Sequence, residues 1–507
     1  MSPDAVKYGT EEFEARAAES AAAKTKSATM APAKKKSGCL MPLLSLAISM
    51  AIIALAVGAQ LPKPVNLAPL PERCNTNMPI AGLVDREAYK TSTFTMNEGF
   101  SKTHDREFDL IVMGATGFTG KNVASYLGSQ YDPSFKWAVA GRSEVKLKAL
   151  VASFNPTFGV GVVVADSMDP ASLASLAQRT RAVVTTAGPY SDYGSGLVAA
   201  CAAAGTHYAD LSGEPFWQRA MVDRHDATAR ATGAKIVVAS GYDSIPFDLG
   251  ALHAAHALGP GDPVASVSAL VRESRGWLSG GTLQSALRTA SAVMSGEVAA
   301  AAMADPYLLV PQDDAGVDQA CRPDSDVSGW GVMPRWDADF GTLGVQHFMA
   351  PINARVVRRS LALRGHRNAT YAEGISIGAL ADWFAFMVAK VLSGEMPVVD
   401  LVPKQGRGPS PAVMRDGRGA VDFVVRGASG RAVRTSVAYL GDPGYNATAK
   451  MLAEAGRCLA LEACHQAPQA LTVPGGGVTT ASAAMGMGLI RRLKNADGGR
   501  FMRFLIV

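Results

Sequence analysis

The stretch that decides the fold is FDLIVM at Phe108–Met113, which runs without a break into GATGFTG at Gly114–Gly120. An apolar run of strand length meets a glycine-rich turn, after which Val123, Tyr126 and Leu127 recur at helical spacing. Glycine is needed where such a turn is tightest and where backbone must touch a pyrophosphate. The helix that follows then offers its free N–H groups to the anion. The spacing is G-x-x-G-x-x-G, not G-x-G-x-x-G. A glycine turn can also serve packing alone, so its surroundings have to carry part of the argument.

Those surroundings repeat the pattern. WAVA at 137–140 ends in Gly141-Arg142-Ser143, about where an acidic residue would hold an NAD ribose hydroxyl. Arg142, with Lys146 one turn later, suits a 2′-phosphate instead, so NADP(H) is the expected cofactor. Apolar runs at 160–165, 182–187, 206–211 and 235–239 follow, with helical segments such as 196–205 and 218–233 between them. Strands alternating with helices predict an α/β, Rossmann-type doubly wound parallel sheet whose ligands sit beyond the carboxyl ends of the strands. The predicted cofactor-binding residues are Gly114, Thr116, Gly117, Phe118, Thr119, Gly120, Arg142, Ser143, Asp166, Ala187 and Gly188, with Asp166 near the adenine.

Working outward, the 507 residues are 48% hydrophobic and carry 49 Lys+Arg against 44 Asp+Glu, which excludes general disorder. A net charge of +5 over this length argues against a nucleic-acid partner. The six cysteines form no C-x-x-C pair, so a zinc ribbon is not expected. Residues 1–38 are a polar tail ending in Lys34-Lys35-Lys36, and 39–59 contain no charge. That second stretch is long enough to span a bilayer, or it is a signal segment; anchor and signal peptide are not separable here. Residues 60–105 read as linker, 106–255 as the dinucleotide-binding domain, 256–445 as an α+β substrate domain, and 446–507 as C-terminal helices returning to the first domain. The expected destination is a membrane or an organelle: plastid, endoplasmic reticulum or lipid droplet. A homodimer is a further expectation.

Several motifs together resemble the saccharopine dehydrogenase-like oxidoreductases, the mycobacterial trans-acting enoyl reductases in particular. They are GATGFTG, AGR at 140–142, AGPYSDYG at 187–194, HYADLSGE at 207–214 and GYDSIPFDLG at 241–250. The likeness continues through DPYLLVP at 305–311, MAPINAR at 349–355 and GGGV at 475–478, so it covers roughly 106–507 in order. It implies a Rossmann domain with an α+β domain inserted after the sixth strand. It also implies NADP-type cofactor use and a lipid-like or polyketide-derived substrate.

An enoyl reductase must place hydride on the β-carbon and a proton on the α-carbon, so a general acid has to lie within reach. The strand-end candidates are Tyr190, Tyr193, Asp210, Glu214, Tyr242 and Asp243. Of these, Tyr190, Tyr242 and Asp243 are the predicted catalytic residues. Each has a plainer alternative in aromatic packing or helix capping. Asp248, just before an apolar helix, reads as a cap. None of the twelve tyrosines has lysine four positions on, which argues against a short-chain dehydrogenase. No G-x-S-x-G elbow supports a hydrolase. His253 and His256 lack a third ligand, and no metal is expected. Residues 375–392, nearly all apolar, read as a core helix, with the wall of an apolar substrate tunnel or a face dipping into a membrane as the functional alternative. The competing function is a membrane-associated interaction protein that keeps the dinucleotide fold without turnover.

Overall fold

The structure is a computed structural model. It describes residues 106–507 except 131, 133, 156–158, 278, 300–301, 303–304, 312–329, 331–332, 397–405, 462–463, 465–471 and 474. The apolar stretch at 39–59 and the linker after it lie outside the described residues. Among the described residues no helix is long and apolar enough to cross a membrane.

Seven parallel strands form the first sheet: β1 (Phe108–Met113), β2 (Trp137–Gly141), β3 (Gly161–Val164), β4 (Thr180–Thr185), β5 (His207–Ala209), β6 (Lys235–Val237) and β13 (Gly477–Thr479). Their order is β13-β6-β5-β4-β1-β2-β3, so the direction of winding reverses between β1 and β4. The side-chain alternation of a strand is visible in β1. Leu110 and Val112 enter one core cluster, and Ile111 and Met113 the other, on the opposite face of the sheet. Burial on both faces is why the strand reads as an unbroken apolar run and not as an alternating one. One face is covered by α3 (Pro170–Gln178), α5 (Ser195–Ala204) and α6 (Pro215–Thr232), through Leu173, Val198 and Met221. The other face takes α1 (Phe118–Ser129) and α2 (Glu144–Val151), through Val123 and Leu147. The short α4 (Tyr190–Tyr193) follows β4.

Helix α7 (Ile245–Leu258) leads out of the first sheet into a second one and is buried nearly all round. The second sheet has the order β14-β12-β11-β7-β10-β9-β8. Its strands are β7 (Val264–Arg275), β8 (Arg335–Asp337), β9 (Thr342–Gln346), β10 (Thr370–Ser376), β11 (Arg418–Gly427), β12 (Ala432–Leu440) and β14 (Met502–Ile506). It is mixed, with β7 and β10 parallel and β11 antiparallel to both β7 and β12. Gly250 of α7 sits on the Phe423 ring of β11, where a Cβ would lie 2.2 Å from Cζ. The two sheets thus share a core across α7. Helices α8 (Gly280–Met294), α9 (Ala350–Leu363), α10 (Ile377–Leu392) and α11 (Pro411–Asp416) belong to this half.

The C-terminal segment serves both sheets. Helix α12 (Thr448–Ala460) lies on the first, with Gly456 pressed between Val184 and Leu110. Beyond the expected helices, β13 adds a strand to the first sheet and β14 adds one to the second, with α13 (Ala481–Gly499), kinked at Gly486, between them. Cys458, near the end of α12, is bridged to Cys464.

One expectation is corrected. Residues 375–392 are not a core helix: Ile375 and Ser376 finish β10, and α10 buries only Ala379 and Met387. Phe384 and Leu392 are 55% and 81% exposed. The helix packs by one side on the second sheet, where Trp383 Nε1 donates to Gly276 O at 3.0 Å and Asp382 pairs with Arg275 at 2.7 Å. Apolar composition alone does not distinguish a helix covered on all sides from one covered on a single side.

Candidate active site at the carboxyl ends of the first sheet

The three glycines of the turn after β1 do three different things. Gly114 has φ +78°, the left-handed region that favours glycine, and a Cβ there would press on Thr186 Oγ1 and Ala187 N. Gly120 lies against the turn itself, where a Cβ would fall 2.2 Å from Gly114 O, so only glycine lets α1 start this close to β1. Gly117 is the N-cap of α1 and no side chain caps the helix, which leaves first-turn N–H groups for an anion. A Cβ on Gly117 would meet only Gly114 O, at 3.3 Å, so the space before the helix stays open. Thr116, Phe118 and Thr119 are half-buried along the same turn. The turn stands at the reversal of strand order, beside the loop after β4, and Thr186 N–H bonds back to Met113 O at 3.1 Å. These features fit a dinucleotide pyrophosphate.

The remaining cofactor residues divide. Arg142 is exposed at the end of β2, with no ion-pair partner among the described residues. Ser143 Oγ accepts the Lys146 N–H at 3.4 Å and caps α2, so its hydroxyl has an architectural use. Asp166 accepts the Met168 N–H at 3.0 Å and closes the turn before α3. Ala187 N–H is spent on Thr185 Oγ1 at 3.2 Å, and Gly188 makes room for the Tyr190 ring.

The predicted catalytic residues part company more sharply. Tyr190 is buried beside Trp217, donates its hydroxyl to Thr185 O at 3.1 Å and accepts the Leu211 N–H at 3.1 Å. Burial holds that phenol well above its ordinary range. It ties the loops after β4 and β5 together. Tyr242 packs against Tyr439 and Phe247, and burial pushes its hydroxyl up to about 12. Asp243 is half-buried, and its carboxylate accepts no hydrogen bond among the described residues. Burial, with the Asp210 carboxylate as the second cause, pushes it up to about 7.

The other strand-end acids are committed to the framework. Asp210 accepts from Ser212 N–H (3.0 Å), Ser212 Oγ (2.7 Å), Ala239 N–H (2.9 Å) and Tyr208 OH (2.9 Å). Glu214 receives Tyr190 N–H (2.8 Å), Ser191 N–H (2.9 Å) and Ser285 Oγ of α8 (3.1 Å). Tyr193 is 40% exposed. Asp248 does cap a helix, but the helix is α13: it accepts Ser482 N–H and Oγ, each at 2.8 Å. His253 sits edge-on to Phe504, and no group of metal-ligating side chains forms among the described residues.

Behind the Asp243 loop lies a buried network that sequence reasoning missed. Ser244 Oγ donates to Asn353 Oδ1 at 3.1 Å, and Asn353 Nδ2 donates to Glu373 Oε1 at 2.9 Å. Glu373 also meets His347 Nδ1 at 2.6 Å and Tyr371 OH at 2.8 Å. The available signals were Ser244 inside GYDSIPFDLG and Asn353 inside MAPINAR. Through this network the second sheet holds the loop that carries Asp243.

With this geometry in view, residues 110–237 match the saccharopine dehydrogenase NADP-binding domain. A Mycobacterium tuberculosis (strain H37Rv) protein assigned by name to the trans-acting enoyl reductases is 36% identical over 422 residues, 77% of this chain and 96% of its own length. The trans-acting enoyl reductase of Mycobacterium bovis is 35% identical over 418 residues (77% and 97%), and that of Mycobacterium leprae 34% over 415 (77% and 96%). Among solved structures, saccharopine dehydrogenase (L-Glu forming) of Saccharomyces cerevisiae is 13% identical over 78% of this chain and 99% of its own, with a TM-score of 0.43. That likeness is too distant to bear on function. The chain belongs to the saccharopine dehydrogenase-like family of NADP(H)-binding oxidoreductases, which includes the mycobacterial trans-acting enoyl reductases.

Proposed function

We propose that the protein is an NADPH-dependent reductase of an activated carbon–carbon double bond in an apolar, lipid-like substrate, with Asp243 as the proton donor. The observation that carries the reading is the contrast among the three predicted catalytic residues: two are packed into the core, and Asp243 alone keeps an unpaired carboxyl at the crevice. When bound, the cofactor supplies the hydride that adds to the β-carbon. The chain's own part is to hold the pyrophosphate on the α1 turn and the 2′-phosphate at Arg142, and to deliver a proton from Asp243 to the α-carbon. A carboxyl raised to about 7 is still partly protonated at neutral pH, as a general acid must be.

The substrate class is supported by the names of the relatives and by the apolar helix α10, which is covered on one side only. Helix α8 is joined to the strand-end loops through the Ser285–Glu214 hydrogen bond. The charge-free stretch at 39–59 is proposed to direct the chain to a membrane or organelle. Gly114, Gly117 and Gly120 are all present, which supports retained dinucleotide binding over a shell that has lost the cofactor site.

Titration with NADPH and NADH, followed by nicotinamide fluorescence, tests the cofactor assignment. Wild type is expected to prefer NADPH, and Arg142→Asp to shift the preference toward NADH by about tenfold or more. An unchanged ratio removes Arg142 from the site. NADPH oxidation with enoyl thioesters of increasing chain length then tests the substrate class, and absence of turnover with every acyl chain would sink it.

A further inference from the structure

The glycine turn is contacted by a loop from the second half of the chain, Gly406-Arg407-Gly408-Pro409-Ser410, which precedes α11. Gly406 has φ +76° and turns the chain. Gly408 lies on the ring of Phe118, the first residue of α1: a Cβ there would fall 2.2 Å from Phe118 Cε1 and 2.5 Å from Cζ. No larger residue lets backbone come so near. The Phe118 ring is also met edge-on by Tyr445, with centroids 4.8 Å apart. Tyr445 donates its hydroxyl to Arg407 O at 3.1 Å and accepts the Gly280 N–H at 2.9 Å. Its own N–H is held by Asp442 at 2.8 Å. The backbone of Arg407 is therefore pinned beside the first turn of α1.

Arg407 itself is exposed, flanked by two glycines, and has no ion-pair partner among the described residues. The turn it adjoins, GATGFTG, carries no charge and offers only neutral donors, backbone N–H groups and the Thr116 and Thr119 hydroxyls, to a group bearing two negative charges. Arg142 stands at the end of β2, beyond the neighbouring strand, where the adenosine ribose is held. We infer that Arg407 supplies the cation for the cofactor pyrophosphate, reaching the first turn of α1 from the second half of the chain. Guanidinium matches phosphate oxygens in a bidentate fork, which explains an arginine rather than a lysine between the glycines. The inference rests on the NADP(H) assignment of the glycine turn.

The full chain is titrated with NADPH and with NADH. Arg407→Ala is expected to weaken both nucleotides by the same factor, about tenfold, because both carry the pyrophosphate. The loss should shrink as salt is raised, and Arg407→Lys should recover part of it. Arg142→Asp weakens NADPH alone and marks the other phosphate. Wild-type affinity for both nucleotides in Arg407→Ala overturns the inference, as does a loss confined to NADPH or a loss that ignores salt. A wild-type chain that binds neither nucleotide overturns the cofactor assignment beneath it.

Discussion

The loops after β5 and β6, neighbouring strands of the first sheet, each carry an aspartate, and the two aspartates differ in role. Asp210 is fully buried and receives four hydrogen bonds; Asp243 is half-buried and receives none among the described residues. Burial raises both, Asp210 to about 6 and Asp243 to about 7, and the four donors are what hold Asp210 lower. A carboxylate that spends every lone pair on backbone and hydroxyl donors is a clamp: it fixes Ala239 and Ser212 in the two loops. One left unpaired even half-buried costs stability, and such a cost is characteristic of chemistry.

The largest expected effect breaks the comparison from the Asp243 side. Asp243→Asn should lower the rate of reduction by about 10²–10⁴-fold while leaving NADPH affinity unchanged. Turnover within a few-fold of wild type would return Asp243 to the framework. Asp210→Ala should do the opposite, removing about 3 kcal/mol or more of stability because four buried donors lose their acceptor. An unchanged urea midpoint would show that the clamp is redundant.

A smaller effect concerns pH. Asp210, Asp243 and Asp442 are all raised by burial, the last to about 7, so the folded state keeps protons that the unfolded chain releases above its carboxylate range. Where the folded state binds more protons, stability falls as pH rises. The urea midpoint should therefore decline from about pH 4 to about pH 7 and level off above it. In Asp243→Asn that decline should be shallower. A midpoint that rises over this interval would contradict the burial of these groups.

Much of the first sheet was legible because its signals are local. A strand buried on both faces writes itself as FDLIVM, and a turn that needs φ +78° writes itself as Gly114. The roles of the tyrosines were not legible. Tyr190 and Tyr242 stand in the strand-end loops as a proton donor should, yet their surroundings are set by Leu211, Trp217 and Tyr439. The exposure of α10 was hidden for a related reason: its composition is apolar all round, and only the second sheet decides which side is covered.

The sequence by itself determined the parallel sheet and the glycine turn after β1, since backbone conformation and strand periodicity are properties of a few consecutive residues. Tertiary structure alone decided which acid is a clamp and which is free, and that Arg407 comes to lie beside Phe118. Hydrogen bonds and close approaches of that kind join residues far apart in the chain. Asp210 needs the Ala239 N–H, Asp248 needs Ser482, and Phe118 needs Gly408 and Tyr445. No local pattern encodes a partner that only folding delivers.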